Sequence, residues 1–443
     1  MTRFIIGATS ANKRRDGIPA IHGLTFPRFF ATFGDAMATI AIIGTLDTKG
    51  HEHAFVAEQI RLRGHTPLLI DVGTLGPPQV DHDIKREEIA TAVEADLAAI
   101  AERKDRGEAV KAMSEGAPVV ISRLHAEGRI GGVISLGGSG GTAIATAAMR
   151  ALPIGFPKLM VSTMASGNTA PYVDVKDITM MPSIVDVAGL NSVSRQIFAN
   201  AAGAICGMVE TKRNEGKEDK PIIAASMFGN TTECVAEAQK ILEAAGYEVL
   251  VFHATGTGGR TMESLIDSGM VAGVLDVTTT EWADELVGGV LSAGPTRLEA
   301  AAKGGVPAVV APGCLDMANF GGPETIPEKY KDRLFYEHNP QVTLMRTSPG
   351  ECAELGGIIA EKLNASTGLV SVLIPTEAIS VISAEGQAFH DPEADRALFN
   401  ALTNNLKPEI PATRLPIAIN DPEFAKHCAN ELVQLIESSA NTI

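Results

Sequence analysis

Cysteine is scarce and unpatterned in this chain. There are five, Cys206, Cys234, Cys314, Cys352 and Cys428, far apart and with no CxxC. An odd, scattered set excludes a disulfide scaffold or a thiolate zinc site and fits reduced thiols in the cytoplasm. Aromatic residues are also few, with one Trp and four Tyr among 443 residues. That argues against carbohydrate platforms and base-stacking sheets. No apolar run reaches the ~18 residues that a membrane span needs. Basic residues number 37 against 53 acidic, a formal charge of −16. Neither nucleic acid nor an anionic membrane surface is therefore an expected partner.

Glycine is plentiful, with 44 residues, about 10% of the chain against a usual ~7%. The length exceeds what one hydrophobic core serves, so two domains of roughly 150–250 residues are expected. Residues 1–37 stand apart. The first 36 carry five basic and two acidic side chains, a net +3, which leaves −19 for the rest. This segment is expected to be a disordered arm or the product of a mis-called start codon, with a targeting arm as the alternative.

After Met37 short β-branched runs alternate with helical patterns. Strands are predicted at 39–44, 67–72, 131–136, 158–162, 221–226, 247–252, 271–277 and 306–311. Runs apolar on both faces with helices between them predict parallel sheets covered on both sides. An internal repeat sharpens this. Gly44, Gly64 and Gly73 match Ser226, Gly246 and Thr255 at an offset of 182, and Ile130–Ile134 match Val271–Leu275 at an offset of 141. The expected organisation is two tandem, doubly wound α/β subdomains with a ligand cleft between them. The first spans 38–212 with a helical insertion near 81–119; the second spans 221–443, its C-terminal segment expected to pack back on the first. A polar run at 213–220 marks the seam.

The most distinctive motif is Gly137-Gly138-Ser139-Gly140-Gly141-Thr142, a glycine-rich turn between a strand and a helix. Such a turn presents backbone N–H groups beside a helix N-terminus and can hold a phosphate or carboxylate. A dinucleotide fingerprint is rejected, because no acid sits ~20 residues later. The same residues spell GxSxG, so a serine hydrolase built on Ser139 is an alternative, although none of His253, His338, His390 and His427 is singled out as its base. A simple packing turn is the third reading.

The first strand leads into Thr45, Asp47, Thr48 and Lys49. Lys49 could neutralise a phosphate, the hydroxyls could donate, and Asp47 could hold Mg2+ or cap the helix. Asp71 ends the second strand, where a ribose contact or a turn residue is expected. Thr255, Gly256, Thr257, Gly258, Gly259 and Arg260 form a second glycine-rich helix start with an arginine suited to gripping an anion. Smaller polar clusters at 162–168, 278–281 and 313–319 fall at other strand ends. His51 and His53 do not share a helix face, so no metal site is expected. Cys314 reads as a small buried hydrophobe more readily than as a thiolate.

Three of these segments, Gly44–Gly50, Leu136–Thr142 and Phe252–Arg260, together resemble the UPF0261 (Tm-1-like) family, over residues 38 to about 435. The resemblance implies an ATP-binding module of two Rossmann-like subdomains, with or without Mg2+, commonly a homodimer. Some relatives carry a C-terminal TIM-barrel domain, and a separate TIM-barrel protein is a conceivable partner. The expected function is nucleotide binding, with or without catalysis on a small phosphorylated metabolite. The alternatives are the serine hydrolase and a non-catalytic, nucleotide-sensing partner of a barrel enzyme.

Overall fold

The computed structural model describes residues 37–103, 105–211 and 220–441. The arm before Met37 and most of the polar run at 213–220 lie outside the described residues. In the first half β1 (Thr39–Gly44), α1 (Leu46–Arg61), β2 (Thr66–Asp71), α2 (Arg86–Thr91), α3 (Leu97–Arg103), α4 (Arg106–Ala126), β3 (Gly132–Gly137), α5 (Ser139–Arg150), β4 (Lys158–Ser162), α6 (Ala170–Val173), β5 (Thr179–Pro182) and α7 (Ser192–Glu210) follow in order. Every strand pair is parallel, in the order β2-β1-β3-β4-β5. β1 is apolar at Ile40 to Ile43 and buried on both faces. One face packs on α4 and α5, the other on α1 and α7. The apolar stretch 187–209 contributes α7. Its Phe198, Ala202 and Ile205 pack on the first sheet itself. Asn191 starts that helix with a capping box shared with Ser194.

The second half runs β6 (Ile222–Met227), α8 (Thr232–Ala244), β7 (Glu248–His253), α9 (Thr257–Asp267), β8 (Gly273–Thr278), α10 (Glu281–Val287), α11 (Glu299–Gly304), β9 (Ala308–Gly313), β10 (Met317–Phe320), β11 (Phe335–Asn339), β12 (Val342–Arg346), α12 (Pro349–Asn364), β13 (Val370–Pro375), α13 (Pro392–Asn405), β14 (Ala412–Leu415) and α14 (Pro422–Ala440). Its parallel sheet has the order β14-β13-β9-β8-β6-β7. The first four strands of each half are thus wound alike. Gly64 and Gly246, 182 residues apart, take the same left-handed φ of +85° and +100° in the helix-to-strand turn, a backbone that glycine adopts without strain.

Three features go beyond the repeat. The helices α2 to α4 fill the connection that α9 alone makes in the second half. An antiparallel sheet, β10-β12-β11, is inserted after β9. The strands β13 and β14 extend the second sheet. The C-terminal segment, expected to pack back on the first domain, does otherwise. Phe424, Cys428, Leu432 and Ile436 of α14 lie against α8 and the second sheet, because their apolar stripe completes that core. No helix among the described residues is long and apolar enough to cross a membrane.

Candidate functional site

The strand order makes β1 and β3 neighbours whose following helices go to opposite faces of the sheet. At such a switch point the loops at the strand C-termini diverge and leave room for a ligand. Here the loops are Thr45–Lys49 and Gly137–Thr142. Gly138 is the N-cap of α5 and provides no side-chain cap. The first helical bond runs from the Thr142 N–H to the Gly138 carbonyl at 2.8 Å. The N–H groups of Ser139, Gly140 and Gly141 have no acceptor among the described residues. A Cβ on Gly140 would lie 3.5 Å from a guanidinium nitrogen of Arg106, and one on Gly138 would lie 3.8 Å from the Thr163 hydroxyl. Arg106, exposed and forming no ion pair among the described residues, begins α4 directly after its Asp105 cap. The glycine turn therefore offers free N–H donors, a cation and a hydroxyl on one small surface.

Ser139 is exposed at the start of α5. Its φ is not positive, so the strained elbow that drives a nucleophilic serine forward is missing. No histidine bonds to it among the described residues. These two facts overturn the hydrolase reading on geometric grounds.

In the β1 loop and at Asp71 the side chains bond within the protein. Lys49, at a kink in α1, donates its ammonium to the Val187 carbonyl. Asp47 accepts N–H bonds from Leu75 at 2.6 Å and Gly76 at 3.2 Å, so it fastens the loop after β2 and does not cap α1. Thr48 bonds back to Thr45 through its hydroxyl at 3.1 Å. Asp71 is fully buried. One oxygen accepts from Leu46 N and Gly73 N at 3.1 and 2.9 Å, the other from Arg86 Nε at 2.7 Å. Both oxygens are engaged away from solvent, which corrects the ribose contact to a buried ion pair. His53 lies beneath Gly44, where a Cβ would meet its ring at 2.5 Å; burial lowers its pKa and keeps it neutral.

The second glycine turn is already filled. Glu281 Oε1 accepts from Gly256 N at 2.7 Å and Gly259 N at 3.0 Å, and Oε2 accepts from Arg297 Nε at 2.7 Å. Gly256 has φ +79°, and a Cβ on Gly259 would collide with the carboxylate. The turn does bind an anion, but the anion is the protein's own. Arg297, 1% exposed, is also held by Asp276 at 2.5 and 2.6 Å and by Glu263 at 3.1 Å. Arg260 points elsewhere, 3.6 Å from Asp174 of the first half. The expectation that Gly256–Arg260 holds a ligand phosphate is corrected accordingly.

The clusters at 278–281 and 313–319 are buried and bonded internally. Thr279 and Thr280 donate to the carbonyls of Ala311 and Met317. Asp284 accepts from Asn319 N and Nδ2 at 3.0 and 2.8 Å, and burial pushes its carboxyl up to about 7. Asp316, bonded by Ser380 at 2.7 Å, is pushed up to about 6 by burial. Cys314 is fully buried, and burial raises its thiol pKa further, which leaves it no thiolate character.

The halves meet through Ile154 N to Ser268 Oγ at 2.9 Å and Arg260 to Asp174. These contacts gather near the C-terminal end of α5, where Arg150 bonds the Tyr172 carbonyl at 2.6 Å. A helix of 12 residues separates that end from Ser139 by about 18 Å. The open turn thus lies at the opposite end of α5 from these contacts.

Arg106 was not visible as a site residue in the sequence. It lies 33 positions before Ser139, inside the helical insertion, and only the packing of α4 on α5 brings it to the turn.

Comparison with known proteins bears on identity. A UPF0261 protein of Clostridium tetani is 51% identical over 399 residues, covering 90% of this chain and 99% of that protein. The ToMV resistance protein Tm-1(GCR237) of Solanum lycopersicum is 38% identical over 424 residues, 90% of this chain and 56% of that protein. Among solved structures, a UDP-N-acetylglucosamine 2-epimerase from Rickettsia bellii covers 92% of this chain and 98% of its own at 12% identity, with a TM-score of only 0.21. The N-terminal domain model of the uncharacterised protein family UPF0261 matches residues 38–214 and the C-terminal domain model residues 220–436. The chain belongs to the UPF0261 family.

Proposed function

We propose that this protein binds the phosphates of a nucleotide, ATP being the expected one, at the N-terminus of α5 in its first domain. The observation that carries the reading is the contrast between two glycine-rich helix starts, one after β3 and one after β7. The second has its N–H donors filled by Glu281. The first has the same kind of donors, no acceptor, and Arg106 beside them. Aligned peptide dipoles and N–H groups at a helix start stabilise an anion, and a guanidinium grips phosphate oxygens in a planar fork. The overall charge of −16 opposes a phosphate, so affinity comes from these local groups.

Calorimetric titration of the full chain with ATP, with and without Mg2+, and with tripolyphosphate tests this. Both ligands are expected to bind. Arg106→Ala should weaken both about tenfold, and Arg260→Ala should leave both unchanged. Failure of the wild-type chain to bind either ligand up to millimolar concentration overturns the reading.

A further inference from the structure

The segment after β5 carries an isoleucine in a conformation that isoleucine avoids. Ile184 has φ +63° and is 76% exposed. The Val185 N–H bonds the Ser183 carbonyl at 2.7 Å, across Ile184 alone. This is the rare γ-turn whose central residue has positive φ, an outlier for a β-branched side chain. Glycine, and to a lesser degree asparagine, would hold the same turn with less strain.

The surroundings enforce it. Ser183 Oγ donates to the Val185 carbonyl at 2.7 Å. The Ser183 N–H bonds the Ser162 carbonyl at 3.1 Å. Further on, Lys49 grips the Val187 carbonyl and Glu52 accepts the Gly189 N–H. The segment 183–190 is thus strapped from the end of β4 to the start of α1, along the edge of the sheet that holds the open glycine turn. Ser162 Oγ in turn shares a 2.6 Å hydrogen bond with Thr142 Oγ1 in the first turn of α5. One residue, Ser162, links the γ-turn to the phosphate site. A strained backbone held this firmly at a ligand edge points to function, and what it displays is an apolar side chain with nothing to cover it.

We infer that Ile184 is the apolar platform for the base of the bound nucleotide. The inference rests on the phosphate reading above and adds the element that separates a nucleotide from a bare phosphate chain. Phosphates would lie on the Ser139–Gly141 N–H groups with Arg106, and the flat face of the base would cover Ile184.

The test is titration of the full chain with ATP and with tripolyphosphate, for wild type, Ile184→Asn and Ile184→Leu. Asparagine tolerates the left-handed backbone, so the turn stays intact while the apolar surface goes; thermal melting verifies the fold. Ile184→Asn should weaken ATP about five- to tenfold, the effect of losing roughly 50 Å² of apolar contact, and leave tripolyphosphate unchanged. Ile184→Leu should stay within about twofold for both. Equal losses for both ligands, or no loss for ATP, overturn the inference and leave the phosphate reading standing. Unchanged ATP affinity with altered sedimentation would instead mark Ile184 as a contact between copies of the chain. If neither ligand binds wild type, the phosphate reading fails and this inference with it.

Discussion

Glu281 accepts the backbone N–H of Gly256 at 2.7 Å, from a side chain that is itself 1% exposed. The same carboxylate takes Gly259 N and Arg297 Nε. Glu281→Ala would leave those donors buried and unsatisfied. Loss of about 3 kcal/mol is expected, read as a lower urea midpoint. Acetate at high concentration should raise the melting temperature of this variant and not of wild type, because it can enter the vacated receptor. A variant as stable as wild type, or one indifferent to acetate, contradicts the assignment.

The two glycine turns should respond oppositely to a methyl group. A Cβ on Gly258 would lie 1.8 Å from the His253 carbonyl oxygen, and the nearest group to a Cβ on Gly138 is 3.8 Å away. Gly258→Ala should destabilise by about 2 kcal/mol or more, whereas Gly138→Ala should stay within ~0.5 kcal/mol of wild type and lose affinity for tripolyphosphate. Chemical denaturation and titration of both variants decide it; equal stabilities would show that the turns are not differently used.

Asp71 and Arg86 form a buried pair at 2.7 Å. Asp71→Ala leaves a cation without its partner and should cost about 3–5 kcal/mol. If Asp71 has no ribose role, Asp71→Asn keeps the wild-type ratio of ATP to tripolyphosphate affinity at a temperature where the variant remains folded. A selective loss for ATP would reinstate the ribose contact.

Stability should fall as pH rises through the neutral range. The folded Asp284 carboxyl titrates at about 7, against an unfolded value near ~3.9. Below the lower value both states are protonated. Between the two the folded state binds more protons, so stability drops with pH and levels off above about 7. Asp316, at about 6, adds to the slope. Asp284→Asn should therefore gain on wild type from about pH 4 to about pH 7, by roughly 4 kcal/mol at the top of that range. Urea unfolding across those pH values measures it, and a constant difference between the two proteins would rule out Asp284 as the titrating group.

The two wound sheets were legible because their signals are local. The apolar run Ile40–Ile43 and the paired Gly64 and Gly246 carry the strand and turn pattern in a few residues each. The open turn at Gly137–Thr142 was legible for the same reason. The partners that decide its use were not. Glu281 reaches Gly256 across 25 positions, and Arg106 reaches Gly140 from the inserted helical stretch that the other half lacks. A glycine-rich helix start looks the same in sequence whether its acceptor is a ligand or a distant glutamate. Ile184 escaped notice because one isoleucine in a loop says nothing until its φ is known.

The self-supplied carboxylate has a thermodynamic consequence. A half whose anion is covalently part of the chain has the same stability whatever the solute concentration outside. A half whose receptor awaits a solute gains stability as that solute accumulates, by mass action alone. Two copies of one fold in a single chain would thereby be divided into a constant reference and a variable reporter, with the response to metabolite supply confined to residues 38–211.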